Sequence, residues 1–190
     1  MALGTGRIVI VSGPAGVGKT TICEQLLKRP NFVRSISVTT RGPRPNEREG
    51  IDYEFWNKVA FEKNRDEGVF LEWAVYDGNY YGTRRGPVEE RLRQGKNVIC
   101  NIEVQGAAQI RKLGLHVISF FLLPPSTEVL RQRIARPGLS PEVIERRMKT
   151  AEIEIARAKE YDYQIVNEQI GPTVDTIASL VGQESESREG

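Results

Sequence analysis

Gly13-Pro14-Ala15-Gly16-Val17-Gly18-Lys19-Thr20 fits the spacing G-x-x-x-x-G-K-[ST], and its flanks place that spacing where it can work. Before it, Ile8-Val9-Ile10-Val11 is short, apolar and β-branched, as a buried strand should be; after it, Thr21 to Lys28 has helical periodicity. A turn of this kind between strand and helix is a phosphate cradle. Its glycines let the backbone turn tightly and aim N–H groups inward, and the helix N-terminus adds partial positive charge. A glycine-rich turn can be purely structural, but the strand before and the helix after select nucleotide binding. Gly13 to Thr20, with Thr21, are therefore the candidate ATP-binding residues: Lys19 reaches the β- and γ-phosphates, and the Thr20 hydroxyl can ligate Mg²⁺.

Working outward, 190 residues, 39% hydrophobic and 27% charged, suit one soluble globular domain with room for an inserted subdomain. The formal charge of +2, from 27 basic and 25 acidic side chains, gives no excess that calls for a nucleic-acid partner. Cys23 and Cys100 match no metal or redox spacing and read as reduced core thiols. No stretch has the length of a membrane span and the start has no signal-peptide pattern, so a cytoplasmic protein is expected.

Past the first helix, Ser35 to Thr40 alternates like a strand and runs into Arg41-Gly42-Pro43-Arg44-Pro45-Asn46-Glu47, a loop carrying two arginines. Asp52 to Trp56 reads as a strand and Lys58 to Glu67 as a helix stopped by Gly68. Val69 to Tyr76 and Tyr80 to Thr83 read as a hairpin turning at Asp77-Gly78-Asn79. Residues 37–86 thus form a small antiparallel unit. From Pro87 the chain alternates helix and apolar strand: helix to Gln94, strand Asn97 to Ile102, helix Val104 to Lys112, strand Val117 to Leu123, helix Thr127 to Ile134. Such alternation indicates a parallel sheet. Ser140 and Pro141 open a long helix to about Tyr161, Tyr163 to Asn167 is a last strand, Pro172 to Val181 a last helix, and residues 182–190 a disordered tail.

A phosphate cradle alone does not select a function. There is no Asn-Lys-x-Asp guanine motif, and a motor or transport ATPase would need accessory motifs that this chain lacks. Ser37-Val38-Thr39-Thr40-Arg41 with Pro43-Arg44 and Glu47, Gly50-Ile51-Asp52-Tyr53, Phe70-Leu71-Glu72-Trp73-Ala74 and Gly78-Asn79-Tyr80-Tyr81-Gly82-Thr83 stand in order along the chain. With these segments, the chain from Arg7 to Asn167 resembles the guanylate kinase family. The resemblance implies an α/β fold of three layers: a P-loop kinase core with a parallel central sheet (residues 1–36 and 87–181), an inserted small antiparallel GMP-binding subdomain (37–86) and a helical lid (about 133–147).

The implied activity is transfer of the γ-phosphate of ATP to GMP, with dGMP expected as a second acceptor and Mg²⁺ accompanying ATP. The resemblance assigns GMP binding to Ser37, Arg41, Arg44, Glu47, Tyr53, Glu72, Tyr81, Thr83 and Glu103. The chemistry suits these roles. Arginine forks match a phosphate bidentately, tyrosine hydroxyls can reach its remaining oxygens, and the Glu72 carboxylate can accept from the N1–H and N2–H of guanine, where adenine has no N1–H to offer. Ser37 and Thr83 hydroxyls can complete the base's bonding. Lys19, Arg133, Arg136 and Arg147 are the implied catalytic cations, the last three from the lid, and Asn167 would lie near the adenine. For Arg131 and Arg146, a solvated helical face and a place in the lid are equally open.

Two positions depart from the family pattern. Pro137 follows Arg136 where relatives commonly have glycine, in a lid one residue short. Asn101 stands where relatives carry an acid, which leaves the acidic role near GMP and metal to Glu103. A non-catalytic module binding a phosphorylated protein segment through Arg41, Arg44 and Tyr81 is the alternative, though such modules usually lack the intact cradle seen here.

Overall fold

The computed structural model of the protein describes residues 6–135 and 137–186. The first strand, β1 (Ile8–Ser12), is buried throughout and leads through the cradle into α1 (Lys19–Leu26). A short strand, β2 (Phe32–Arg34), follows. The chain then crosses into a second sheet made of β3 (Ser37–Thr39), β4 (Tyr53–Phe55), β5 (Phe70–Tyr76) and β6 (Asn79–Arg84), with α2 (Lys58–Asp66) between β4 and β5. It returns directly into α3 (Arg85–Arg93), β7 (Asn97–Asn101), α4 (Val104–Arg111) and β8 (Val117–Leu123). The remaining elements are α5 (Thr127–Ile134), α6 (Pro141–Ala156), β9 (Tyr163–Val166) and α7 (Ile170–Glu186).

The main sheet has the order β2-β7-β1-β8-β9, and its pairs are parallel. Alternation along β1 explains the three layers. Ile8 and Ile10 pack on one face with Val88 and Leu92 of α3 and Ala107 and Ile110 of α4. Val9 and Val11 pack on the other with Ile22 and Leu26 of α1 and Val174 and Ile177 of α7. A strand covered on both sides has no polar face to show, hence its unbroken apolar run.

The small sheet, β4-β3-β6-β5, is antiparallel at β3–β6 and β5–β6. The antiparallel expectation needs one correction: β4 joins β3 in parallel, with Ser37 opposite Tyr53. The long arginine loop carries the chain back to the start of β3, so β4 leaves in the same direction. Phe61 of α2 fills the underside of this sheet, stacked on Phe70 at 4.5 Å and on Tyr80 at 5.0 Å. Asp77 and Gly78, at φ 48° and 77°, form the two-residue hairpin turn that the sequence calls for.

Leu130 and Ile134 of α5 meet Met148 and Ala151 of α6 in a separate apolar cluster that packs the two helices together. The long helix ends at Ala156, before a single 3₁₀ turn at Ala158–Glu160. β2 has no counterpart in the sequence reading. The tail is also corrected in part: α7 continues through Gly182 to Glu186, and residues 187–190 lie outside the described residues.

Candidate functional site

Glycines shape the cradle's backbone. Gly18 caps α1 at φ 107°, a conformation that side-chain-bearing residues rarely adopt. A Cβ there would stand 2.7 Å from Asn167 Nδ2. No acidic residue occupies the first turn of α1, so the partial positive charge of that helix end is left for an anion. Thr20 and Thr21 are exposed on that turn. Lys19 folds back onto the loop, its Nζ donating to the Gly13 carbonyl and, at 3.3 Å, to that of Pro14.

Asn167 packs against the cradle. It is buried, its Nδ2 donates to the Val17 carbonyl at 2.8 Å, and its Oδ1 accepts from Thr173 at 3.1 Å. The side chain braces the cradle from beneath and is not open to a base.

A cavity of about 200 Å³ lies between the small sheet and the carboxyl end of β7. Ser37, Arg41, Arg44, Tyr53, Glu72 and Tyr81 line it, which brings the expected acceptor residues together. Asn101 and Glu103 close its far side, at the strand ends where doubly wound sheets hold ligands. Glu47 does not line it. Its carboxylate takes both ends of the Arg41 fork, from Nη1 at 3.0 Å and Nη2 at 2.9 Å, and also accepts from the Arg44 backbone N–H at 2.8 Å. That pairing holds Glu47 below the usual carboxylate range and makes it the brace of the anion clamp. Arg41 Nε donates to the Tyr81 hydroxyl at 3.2 Å, and the guanidinium lies 5.5 Å from the Tyr53 ring centre.

Thr83 likewise stands behind the site. Fully buried, it donates to Glu72 Oε1 at 2.6 Å and so acts on a ligand only through that carboxyl. Burial pushes Glu72 up to about 7, against the pull of the Thr83 bonds. Gly106 lies so close that a Cβ on it would stand 2.3 Å from Glu72 Oε2.

A second cavity, of about 540 Å³, is bounded by Ala15 and Gly16 of the cradle, by Arg133 of α5 and by Arg146 and Arg147 of α6. Of the expected catalytic arginines, Arg133 and Arg147 line this cavity, and Arg136 lies outside the described residues. The two open positions separate: Arg146 lines the cavity, whereas Arg131 is exposed and paired with Glu145. Glu154 also lines this cavity and escaped the sequence reading; burial and the neighbouring Glu103 carboxyl raise its pKa while Lys19 opposes the shift. The signal for it was helical spacing, since Arg147, Thr150 and Glu154 share one face of α6. Tyr76, at the end of β5, was missed as well. Arg44, Tyr76 and Glu103 line both cavities and therefore surround the opening between them.

A family model described as guanylate kinase matches residues 5–184. The chain belongs to the guanylate kinase family. It is 44% identical over 181 residues to the guanylate kinase of Synechocystis sp., covering 94% of this chain and 95% of the relative. The guanylate kinase of Rickettsia bellii is 42% identical over 190 residues, covering 99% of this chain and all of the relative (100%). Among solved structures, the guanylate kinase of Anaplasma phagocytophilum superposes with a TM-score of 0.79 at 36% identity, covering 95% of this chain and 86% of that one. The paired arginines Arg41 and Arg44 and the buried Glu72 line one and the same cavity.

Proposed function

We propose that this chain transfers the γ-phosphate of ATP to GMP, and to dGMP, releasing ADP and GDP or dGDP in the cytoplasm. The observation that carries this reading is the shared rim: Arg44 and Glu103 belong to both the acceptor and the donor cavity. A phosphate held by Arg44 in the first cavity faces the phosphates held by the cradle in the second. An oxygen of the GMP phosphate attacks the γ-phosphorus in line, the new P–O bond forms as the bond to the β-phosphate oxygen breaks, and ADP leaves with that electron pair. No covalent link to the protein is needed. Catalysis here is positioning plus stabilisation of charge on the equatorial oxygens, for which Lys19, Arg133 and Arg147 are the cations, with Arg136 of the same lid segment.

Mg²⁺ fits the oxygen donors present. The Thr20 hydroxyl is exposed on the first turn of α1, where it would ligate the ion, and the acidic Glu103 lines both cavities. The ion supplies charge neutralisation on the ATP phosphates. A module that only bound phosphorylated segments would use the Arg41–Arg44 clamp but not the Lys19 cradle or the lid arginines. Release of ADP in a coupled assay, on adding GMP, dGMP, AMP or UMP to enzyme, Mg²⁺ and ATP, tests the reading. Turnover with the guanine nucleotides is expected, and its absence refutes the reading.

A further inference from the structure

The outer strand of the small sheet is β5, yet one residue of its free edge is occupied. The Gln109 side chain of α4 takes the place of a neighbouring strand there: its Oε1 accepts from the Trp73 N–H at 3.1 Å, and its Nε2 donates to the Trp73 carbonyl at 2.7 Å. This amide clasp joins the core to the acceptor sheet one residue from Glu72. One helical turn earlier on α4, Gly106 packs directly against Glu72 Oε2. The same helix thus touches two consecutive residues of β5. Between Phe70 and Glu72, moreover, the β5–β6 ladder shifts register, so regular pairing alone does not set the depth of Glu72.

We propose that Gln109 is a positioning residue for base recognition: by clasping the Trp73 backbone it holds the Glu72 carboxyl at the depth where it meets the N1–H and N2–H of guanine. The proposal rests on the GMP-kinase reading above. Gln109 touches no part of the acceptor cavity itself, so its effect reaches the base only through β5. A side-chain amide suits the task because it presents one donor and one acceptor at the spacing of a peptide unit; methionine, of similar length, presents neither.

The test compares kcat/KM for GMP and for IMP, which lacks the 2-amino group, in the parent, Gln109→Met, Glu72→Gln and the double variant, with KM for ATP measured alongside. Gln109→Met is expected to raise KM for GMP by about tenfold, the loss of roughly 1.4 kcal/mol, with kcat at saturation and KM for ATP within about twofold. The preference for GMP over IMP should shrink by at least about threefold, and the change should largely vanish in the Glu72→Gln background. An unchanged GMP-to-IMP ratio, or full additivity of the two substitutions, overturns the proposal, because a merely structural clasp would weaken both acceptors alike. Should Gln109→Met fail to fold, Gln109→Glu keeps the acceptor for Trp73 N–H while losing the donor, and the same ratio is read on it. Failure of the parent to phosphorylate GMP would instead strike the underlying reading.

Discussion

The Thr83 hydroxyl and the Glu72 carboxyl share a 2.6 Å hydrogen bond inside the protein, with neither residue open to bulk water. The bond steers the carboxyl and occupies part of one oxygen, leaving its other lone pairs for a ligand in the acceptor cavity. Glu72 is also raised to about 7 by burial, so in the empty site it carries its proton for part of the time near neutrality.

In the proposed function guanine presents donors to Glu72, which favours the ionised form of the carboxyl. Lowering the pH from about 8 to about 6 should therefore raise KM for GMP by up to about tenfold as the carboxyl takes up its proton. The phosphate of GMP titrates near the lower end of this range, at about 6, so the control is Glu72→Gln, whose KM should follow the phosphate alone. That variant should lose about 1.5–3 kcal/mol of GMP recognition at the upper pH. A parallel pH profile in parent and variant would show that Glu72 does not read the base.

The same burial predicts a cost to the empty protein. A carboxyl whose folded pKa is raised contributes stability fully below its unfolded value of 4.5 and loses it as the pH rises through about 7. Glu72→Gln should thus be more stable than the parent at about pH 8, by at most about 3 kcal/mol, with the gap closing toward about pH 5. Urea titrations at the two pH values measure it.

Arg44→Ala should raise KM for GMP strongly and leave guanosine binding nearly unchanged, because in the proposed function its guanidinium answers the 5′-phosphate. Arg41→Ala should act likewise. Calorimetry with nucleotide and nucleoside separates a lost phosphate contact from collapse of the loop, which would weaken both.

Lys19→Met should abolish turnover while GMP binding, read by calorimetry, stays within about twofold of the parent. A loss of GMP affinity as large as the loss of turnover would contradict separate donor and acceptor cavities.

Asn167→Ala should raise KM for ATP and lower stability by about 1–3 kcal/mol, since the Val17 carbonyl loses its buried donor. Guanosine binding should hardly change. Equal loss at both sites would mean that the brace supports the whole sheet and not the cradle alone.

Much of this architecture was legible because its signals are local. The apolar run of β1, the glycine spacing after it and the turn at Asp77-Gly78 each sit within a few residues, and local chemistry decides them. β2 was not legible: Phe32–Arg34 is a three-residue edge strand, too short for any periodicity to show. The parallel docking of β4 depends on where a long loop returns, which no window of sequence contains. Among candidate site residues, Ser37, Arg41, Arg44, Tyr53, Glu72 and Tyr81 line one cavity, whereas Glu47 and Thr83 stand behind it, holding Arg41 and Glu72. Residue type alone does not tell a contacting carboxylate from a bracing one. Asn167, Glu154 and Gln109 owe their places to packing between elements far apart in the chain.

The contact between Val17 and Asn167 spans 150 positions. During synthesis the cradle leaves the ribosome 150 positions ahead of its brace. β1 must also wait for β7 and β8 before it has a neighbour on either side. The growing chain therefore carries its glycine loop without this brace until Asn167 has been made. A protein cut short before β9 would retain every residue of the phosphate-binding motif and lack the means to hold it in shape.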